Sequence, residues 1–383
     1  MPEIKDILSV IGSFMLAKTK PAKIRVLIID DSRLIRAAAS KMFGDEFDVV
    51  LAVDGTDGWE KINNDPDIQV VFTDLVMPEM DGFELLKLIR TNNKVAISNL
   101  PVIVATGADN PEVAKQKAIS LGATDFITKP FDGLAIQARA LAYAKLHSTN
   151  KALRSQTTLD PLTGMMNSQG IQRQLVKDLA FVSRHGSSMT VMTLEVDSFK
   201  DLFIQVGRAG AEAIVKKIAS VVGASVRKED SIARTGVAMF TVIMPLAQGH
   251  NSLELADRIC QTVESFRAKL DGKRMKITIS VGVNVIDADN QPDAAAVLDA
   301  AELALTQAAA KGRSQIYQMT MKEYLSILAE REKETMSIDQ LLLKIQEQRV
   351  TEVVPCLDVA LYRLAPLLAM LSNEQKQRII TYR

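Results

Sequence analysis

The sequence predicts an α/β protein: a doubly wound parallel-sheet domain, then a second α/β domain, then a helical C-terminal tail. Three observations carry this. From Ile24 onward, short apolar runs alternate with helical stretches, and the runs end on polar residues. A second series of strand-like runs begins after a long alanine-rich stretch. Past Met319 the spacing is helical and strand-poor. A chain of 383 residues is long enough to form two or three separate cores.

In order, residues 1–22 read as an amphipathic helix, with Ile4, Ile7, Leu8, Ile11, Phe14 and Met15 on one stripe. Residues 23–147 form the first domain. Its strands are expected at RVLIID (25–30), VVLAV (49–53), VVFTD (70–74), PVIVAT (101–106) and DFIT (125–128). Apolar runs of this kind suit a parallel sheet covered on both faces, where chemistry gathers at the strands' carboxyl ends. Residues 134–157 read as one helix running on through a helical linker (148–158), with Leu134, Leu141, Leu146 and Leu153 in pairs seven apart. Two such pairs do not establish a coiled coil. The second domain, 159–318, has strands at MTVMTLEV (189–196) and MFTVIMP (239–245) with a helix between them, then MKITISVGVNVI (275–286) and SQIYQ after Gly312-Arg313. The extension, 319–383, carries capping-box pairs Ser337/Gln340 and Ser372/Gln375 and a Leu361–Leu364–Leu368–Leu371 stripe, and Pro355 and Pro366 interrupt it.

Lys plus Arg equals Asp plus Glu at 46 each, so no basic surplus marks a nucleic-acid binder. Cys260 and Cys356 form neither a metal spacing nor a disulfide framework, which suits a reducing cytoplasm. No apolar run reaches the roughly 18 residues of a membrane span. The N-terminal stripe suits packing on the protein itself or across a homodimer, not a membrane.

The strand ends bring Asp30, Asp31, Asp74, Thr106 and Lys129 toward one pocket. Clustered carboxylates with an ammonium suit a hard Mg²⁺ ion, with Asp74 as a nucleophile of the aspartyl-phosphate kind. This array resembles the CheY-like receiver family of response regulators. TDLVMPEMDG (73–82) and ATDFITKPF (123–131) carry the family's Asp, Met-Pro, Asp-Gly and Lys-Pro. The resemblance implies that Asp30, Asp31, Asp74 and the carbonyl of Val76 hold Mg²⁺. It also implies that Thr106 and Phe126 form the switch and that a histidine kinase or phosphotransfer protein is the phosphoryl donor.

DPLTGMMN (160–167), LEVDSFK (194–200), RTGVAMF (234–240), ISVGV (279–283) and AAAKGR (308–313) resemble, in order, the GGDEF family of diguanylate cyclases, which join two GTP molecules into cyclic di-GMP. Against the family's hairpin, the chain reads Gly236-Val237-Ala238-Met239-Phe240. Ala238 stands at the metal-binding acid, Val237 at a glycine and Met239 at a further acid. Phe203 stands at a base-reading Asn, Glu212 at an Asp and Ala309 at a phosphate-contacting Lys, while Glu195, Lys200 and Arg313 remain. Losing one electrostatic catalytic group costs roughly 10²–10³ in rate. The expectation is a degenerate domain, inactive as a cyclase, serving as scaffold or cyclic di-GMP receptor; the alternative is a weak cyclase. Arg227 and Asp230, in an Arg-x-x-Asp pattern as in the family's product site, with Arg258 nearby, form the expected cyclic di-GMP site. Output is expected through a protein partner on the C-terminal helices.

Overall fold

The computed structural model describes residues 23–335 apart from 108–110, 248, 271–272 and 288–291. The N-terminal stripe, the capping pairs at 337–340 and 372–375 and the Leu361–Leu371 stripe lie outside the described residues. In the first domain β1 (Ile24–Ile29), β2 (Phe47–Ala52), β3 (Val70–Asp74), β4 (Val102–Thr106) and β5 (Asp125–Thr128) form one sheet in the order β2-β1-β3-β4-β5. Every pairing is parallel. The strands therefore need crossover helices: α1 (Arg33–Met42), α2 (Gly55–Asn64), α3 (Gly82–Arg90), the short α4 (Val95–Ser98), α5 (Pro111–Ser120) and α6 (Gly133–Gln156).

Successive strand residues point to opposite faces, so the apolar runs feed two cores. Val26, Ile28, Phe72 and Ile103 pack with Phe43, Phe47 and Ile136 on one side. Leu27, Ile29 and Val71 pack with Leu85, Leu86 and Ile89 on the other. The predicted strands appear at these positions, shifted by a residue or two at their ends. α6 runs without a break into the expected linker (148–158) and ends at Gln156. Leu134, Leu141 and Leu146 are exposed on it, while Ile136, Ala140 and Ala144 are buried.

The second domain comprises α7 (Ser168–His185), β6 (Met189–Val196), α8 (Phe199–Ser225), β7 (Ser231–Arg234), β8 (Met239–Pro245), α9 (Gly249–Glu264), β9 (Arg267–Leu270), β10 (Lys273–Lys276), β11 (Ile279–Ile286), α10 (Ala294–Ala310) and β12 (Ile316–Thr320). Its main sheet runs β12-β11-β6-β8-β7. β6 sends Met192, Leu194 and Val196 into one core and Met189 and Val191 into the other.

Two expectations change here. The strand expected at 275–286 is two strands. β11 is buried along its whole length between β6 and β12, whereas the Lys-Arg-Met-Lys of β10 is too charged for such a place and pairs with β9 in a separate ribbon. Between β6 and β8 lies not only a helix but also β7, a short edge strand. α8 itself kinks at Gly207, whose φ is 65°. The chain leaves the domain through α11 (Met321–Thr335), whose Met321 and Tyr324 are buried in the second core. Among the described residues, no helix is long and apolar enough to cross a membrane.

Candidate functional site

β1, β3, β4 and β5 end together, and their terminal residues form the first site. Asp30 is buried just past β1, Asp31 beside it is exposed, and Asp74 closes β3. Carboxylate oxygens of the three approach within 4.8 Å of one another. Lys129, past β5, places Nζ 2.5 Å from both Asp30 Oδ2 and Asp74 Oδ2. Burial opposes the charged ammonium, but hydrogen bonds to the two carboxylates and their charges outweigh it and hold Lys129 above its usual pKa.

The remaining oxygens are held by backbone. Asp74 Oδ1 accepts from Leu75 N at 2.7 Å, and Asp30 Oδ1 from Ser32 N at 2.9 Å. The donor set of hard carboxylate oxygens, one of them exposed, fits Mg²⁺. Thr106 is buried at the end of β4, Val76 is exposed just beyond Asp74, and Phe126 packs partly buried against Leu75, Val104 and Ala118. Arg36, which the sequence reading did not single out, donates from Nη1 to the carbonyls of Asp30 and Asp31 at 2.5 and 3.0 Å. Its signal was available only as a basic residue one turn into the helix following the acidic pair.

α3 begins at this site. Asp81 caps it, with Glu84 returning the bond. Gly82 N donates to Leu75 O at 3.1 Å, and a Cβ at residue 82 would lie 2.1 Å from Asp74 O. Only glycine permits that approach.

The second site lies where β6 meets the β7–β8 hairpin. Antiparallel register sets Glu195 opposite both Met239 and Ser280. Burial raises the Glu195 pKa, the hydrogen bond from Asn93 lowers it, and the charge of Asp197 raises it. Ala238 is fully buried; its carbonyl accepts from Val196 N at 3.1 Å, and its methyl offers no oxygen to a metal. Phe240 is buried in the core and Val237 is half-buried against it. Phe203 is buried, its ring centroid 6.4 Å from that of Phe199. Glu212 is bound by Arg208 Nε at 2.9 Å. Lys200, Ala309 and Arg313 are exposed.

A brace under the hairpin was not predicted. Arg234 Nη1 pairs with Asp160 Oδ2 at 3.0 Å, and Arg234 Nη2 donates to Val237 O at 2.6 Å. Both partners stood in segments used only as landmarks. At the far end of α8, Arg227 N donates to Asp230 Oδ2 at 2.8 Å, and Arg258 Nη2 to Ser225 O at 2.9 Å. These contacts bring the expected cyclic di-GMP residues around one helix terminus. Burial raises the Asp230 pKa.

Residues 26–141 match the family model described as response regulator receiver domain, and residues 157–315 the model described as diguanylate cyclase, GGDEF domain. The chain is 24% identical over 301 residues to the response regulator PleD of Caulobacter vibrioides, covering 76% of this chain and 65% of that protein. It is 27% identical over 163 residues to the diguanylate cyclase TpbB of Pseudomonas aeruginosa, covering 42% of this chain and 37% of that protein. It thus spans less than two thirds of either relative. The GGDEF domain of DgcB from Caulobacter crescentus, solved with cyclic di-GMP, aligns at a TM-score of 0.40 and 22% identity over 42% of this chain and 92% of that one.

These findings correct the expectation of an inactive cyclase domain. The match over residues 157–315 is to a diguanylate cyclase domain model and the relatives include a diguanylate cyclase, so inactivity has no support among them. That expectation weighed single side chains, at 237–239 of the hairpin and at Phe203, Glu212 and Ala309, whereas the match extends over residues 157–315. The chain carries a response regulator receiver domain followed by a GGDEF domain.

Proposed function

We propose that this protein is a response regulator phosphorylated on Asp74, and that its GGDEF domain makes cyclic di-GMP from GTP at a low rate. The observation that carries the first half is Asp74 beside Lys129 and within a carboxylate cluster at the strand ends. Asp74 Oδ attacks the phosphorus of a phosphohistidine on a kinase or phosphotransfer partner, and the P–N bond breaks as the P–O bond forms. Lys129 pairs with the transferred oxygens as a point charge, and the Thr106 hydroxyl donates to one of them. Asp30, Asp31, Asp74 and the Val76 carbonyl would hold Mg²⁺, which supplies positive charge against the phosphoryl oxygens.

For the second half, Glu195 offers a carboxylate for a divalent cation at the base of the hairpin. An acid missing at Ala238 places the rate roughly 10²–10³ below that of a site carrying both. Joining two GTP molecules suits a homodimer. Arg227, Asp230 and Arg258 would bind the product, the two guanidinium forks facing phosphate or a guanine face and the Asp230 carboxylate accepting from guanine nitrogens. The C-terminal helices are proposed to carry contacts to a downstream protein.

The test is incubation of the acetyl-phosphate-treated protein with GTP and Mg²⁺ or Mn²⁺, with products separated by chromatography. The expected result is slow cyclic di-GMP formation that Glu195→Gln abolishes; no product with either metal refutes the cyclase reading. Asp74→Asn should remove acetyl-phosphate labelling, and retained labelling refutes the acceptor assignment.

A further inference from the structure

The receiver touches the GGDEF domain at the cyclase site itself. Asn93, an exposed residue in the turn between α3 and α4, donates from Nδ2 to Glu195 Oε1 at 2.6 Å. The Asn93 carbonyl also faces the hairpin, where a Cβ added at Gly236 would lie 3.3 Å away. One receiver residue therefore meets both the carboxylate proposed to hold the metal and the turn of the β7–β8 hairpin. Behind it, a cavity of about 310 Å³ is bounded by Arg90, Val95 and Asn99 of the receiver and by Phe203, Glu212 and Val237 of the GGDEF domain. That volume is at the lower end of ordinary small-molecule pockets, roughly 300–1,000 Å³.

We propose that Asn93 is an inhibitory residue of the cyclase: the docked receiver occupies Glu195 and roofs the nucleotide pocket, and phosphorylation of Asp74 lifts it. The chemistry is competition for one carboxylate. A lone pair engaged by an amide N–H is withdrawn from a cation, and a roofed pocket of this size is closed to a nucleoside triphosphate entering from the receiver side.

The route from Asp74 is a single element. The N-terminus of α3 lies against the Asp74 carbonyl through Gly82, and its last residue, Arg90, donates to the carbonyls of Ser98, Leu100 and Gly122 at the opposite end of the sheet. Asn93 follows three residues later. A displacement of α3 as a rigid rod moves the turn that holds Glu195.

This inference rests on the cyclase reading, so the test has two readouts. The full-length wild type, Asn93→Ala and Asn93→Asp are compared, with and without acetyl phosphate, for hydrogen exchange in peptides covering 91–99 and 234–240 and for cyclic di-GMP formed from GTP. Loss of one hydrogen bond to a charged group shifts the docked equilibrium roughly 10- to 100-fold. The expected result is faster exchange at the hairpin and faster turnover by up to that factor in both variants. Acetyl phosphate should have the same effect on the wild type and add little to the variants. Unchanged exchange at 234–240 in Asn93→Ala, or equal turnover by both variants and the wild type, overturns the proposal. Faster exchange with no cyclic di-GMP from any form overturns the cyclase reading and supports the docking contact alone.

Discussion

Replacing Arg90 with Met tests how the receiver holds the turn that reaches the second domain. Arg90 is buried at 7% exposure and, among the described residues, has no carboxylate partner. Its Nε donates to Gly122 O at 2.7 Å, and its Nη1 to Leu100 O at 2.8 Å and Ser98 O at 3.0 Å. Burial, helped by the charge of Arg208, pushes its pKa down to about 9. Met keeps much of the packing of the stem but leaves three carbonyls without that donor. Each buried orphan costs about 1–3 kcal/mol, and relief from burying a guanidinium offsets part of the sum. The net loss is about 3 kcal/mol, among the larger single-residue effects.

The chain has one tryptophan, Trp59 in α2, packed against the receiver core, so its fluorescence follows that domain alone. With a urea slope of roughly 1–3 kcal/mol/M, the receiver midpoint should fall by about 1–3 M. Arg90→Lys should lie between wild type and Arg90→Met, because an ammonium cannot reproduce a planar fork. A midpoint within about 0.3 M of wild type in Arg90→Met, or a lysine variant as stable as wild type, refutes the reasoning.

Other outcomes follow from the same geometry. Lys129 has a folded pKa above its ordinary 10.5, so its contribution is fully present below that value and is lost as pH rises through the folded pKa. The stability gap between wild type and Lys129→Met, followed by Trp59 fluorescence, should therefore shrink in the alkaline range above pH 10.5; a constant gap contradicts the pairing with Asp30 and Asp74. Arg234→Ala should loosen the β7–β8 turn, seen as faster hydrogen exchange at 235–238 with the receiver midpoint unchanged. Calorimetric titration of cyclic di-GMP should show binding that Arg227→Ala/Asp230→Ala removes, and equal binding by the variant would rule that site out.

Much of the first domain was legible because parallel central strands are unbroken apolar runs and because four of the five runs stop on or just before a residue type that chemistry needs. Asp30, Asp74 and Lys129 could be placed in one pocket without coordinates, since β1, β3 and β5 carry them at the same end. β7 was not legible: Ser-Ile-Ala-Arg at a sheet edge has too few apolar residues to announce a strand. Nor was the break at 277–278, where apolar residues continue across a change of sheet. Contacts between domains leave no periodic trace at all. Asn93 lies in a polar turn, Thr-Asn-Asn-Lys, whose composition says only that the chain reverses there.

Single side chains, at the hairpin and at Phe203 and Ala309, were a poor guide to the second domain. Glu195, the carboxylate proposed to hold the metal, keeps its position through the β6–β8 and β6–β11 registers, not through its neighbours in sequence. Ala238 removes one oxygen, but its backbone still bonds Val196, so the hairpin keeps its place beside Glu195. The Arg234–Asp160 pair and the bond from Arg234 to the Val237 carbonyl hold that turn from below. What the substitutions at 237–239 change is the charge offered to a nucleotide, while the scaffold that would present it is intact. The chemistry at this site is therefore set by two things: what Glu195 can hold, and whether Asn93 has released it.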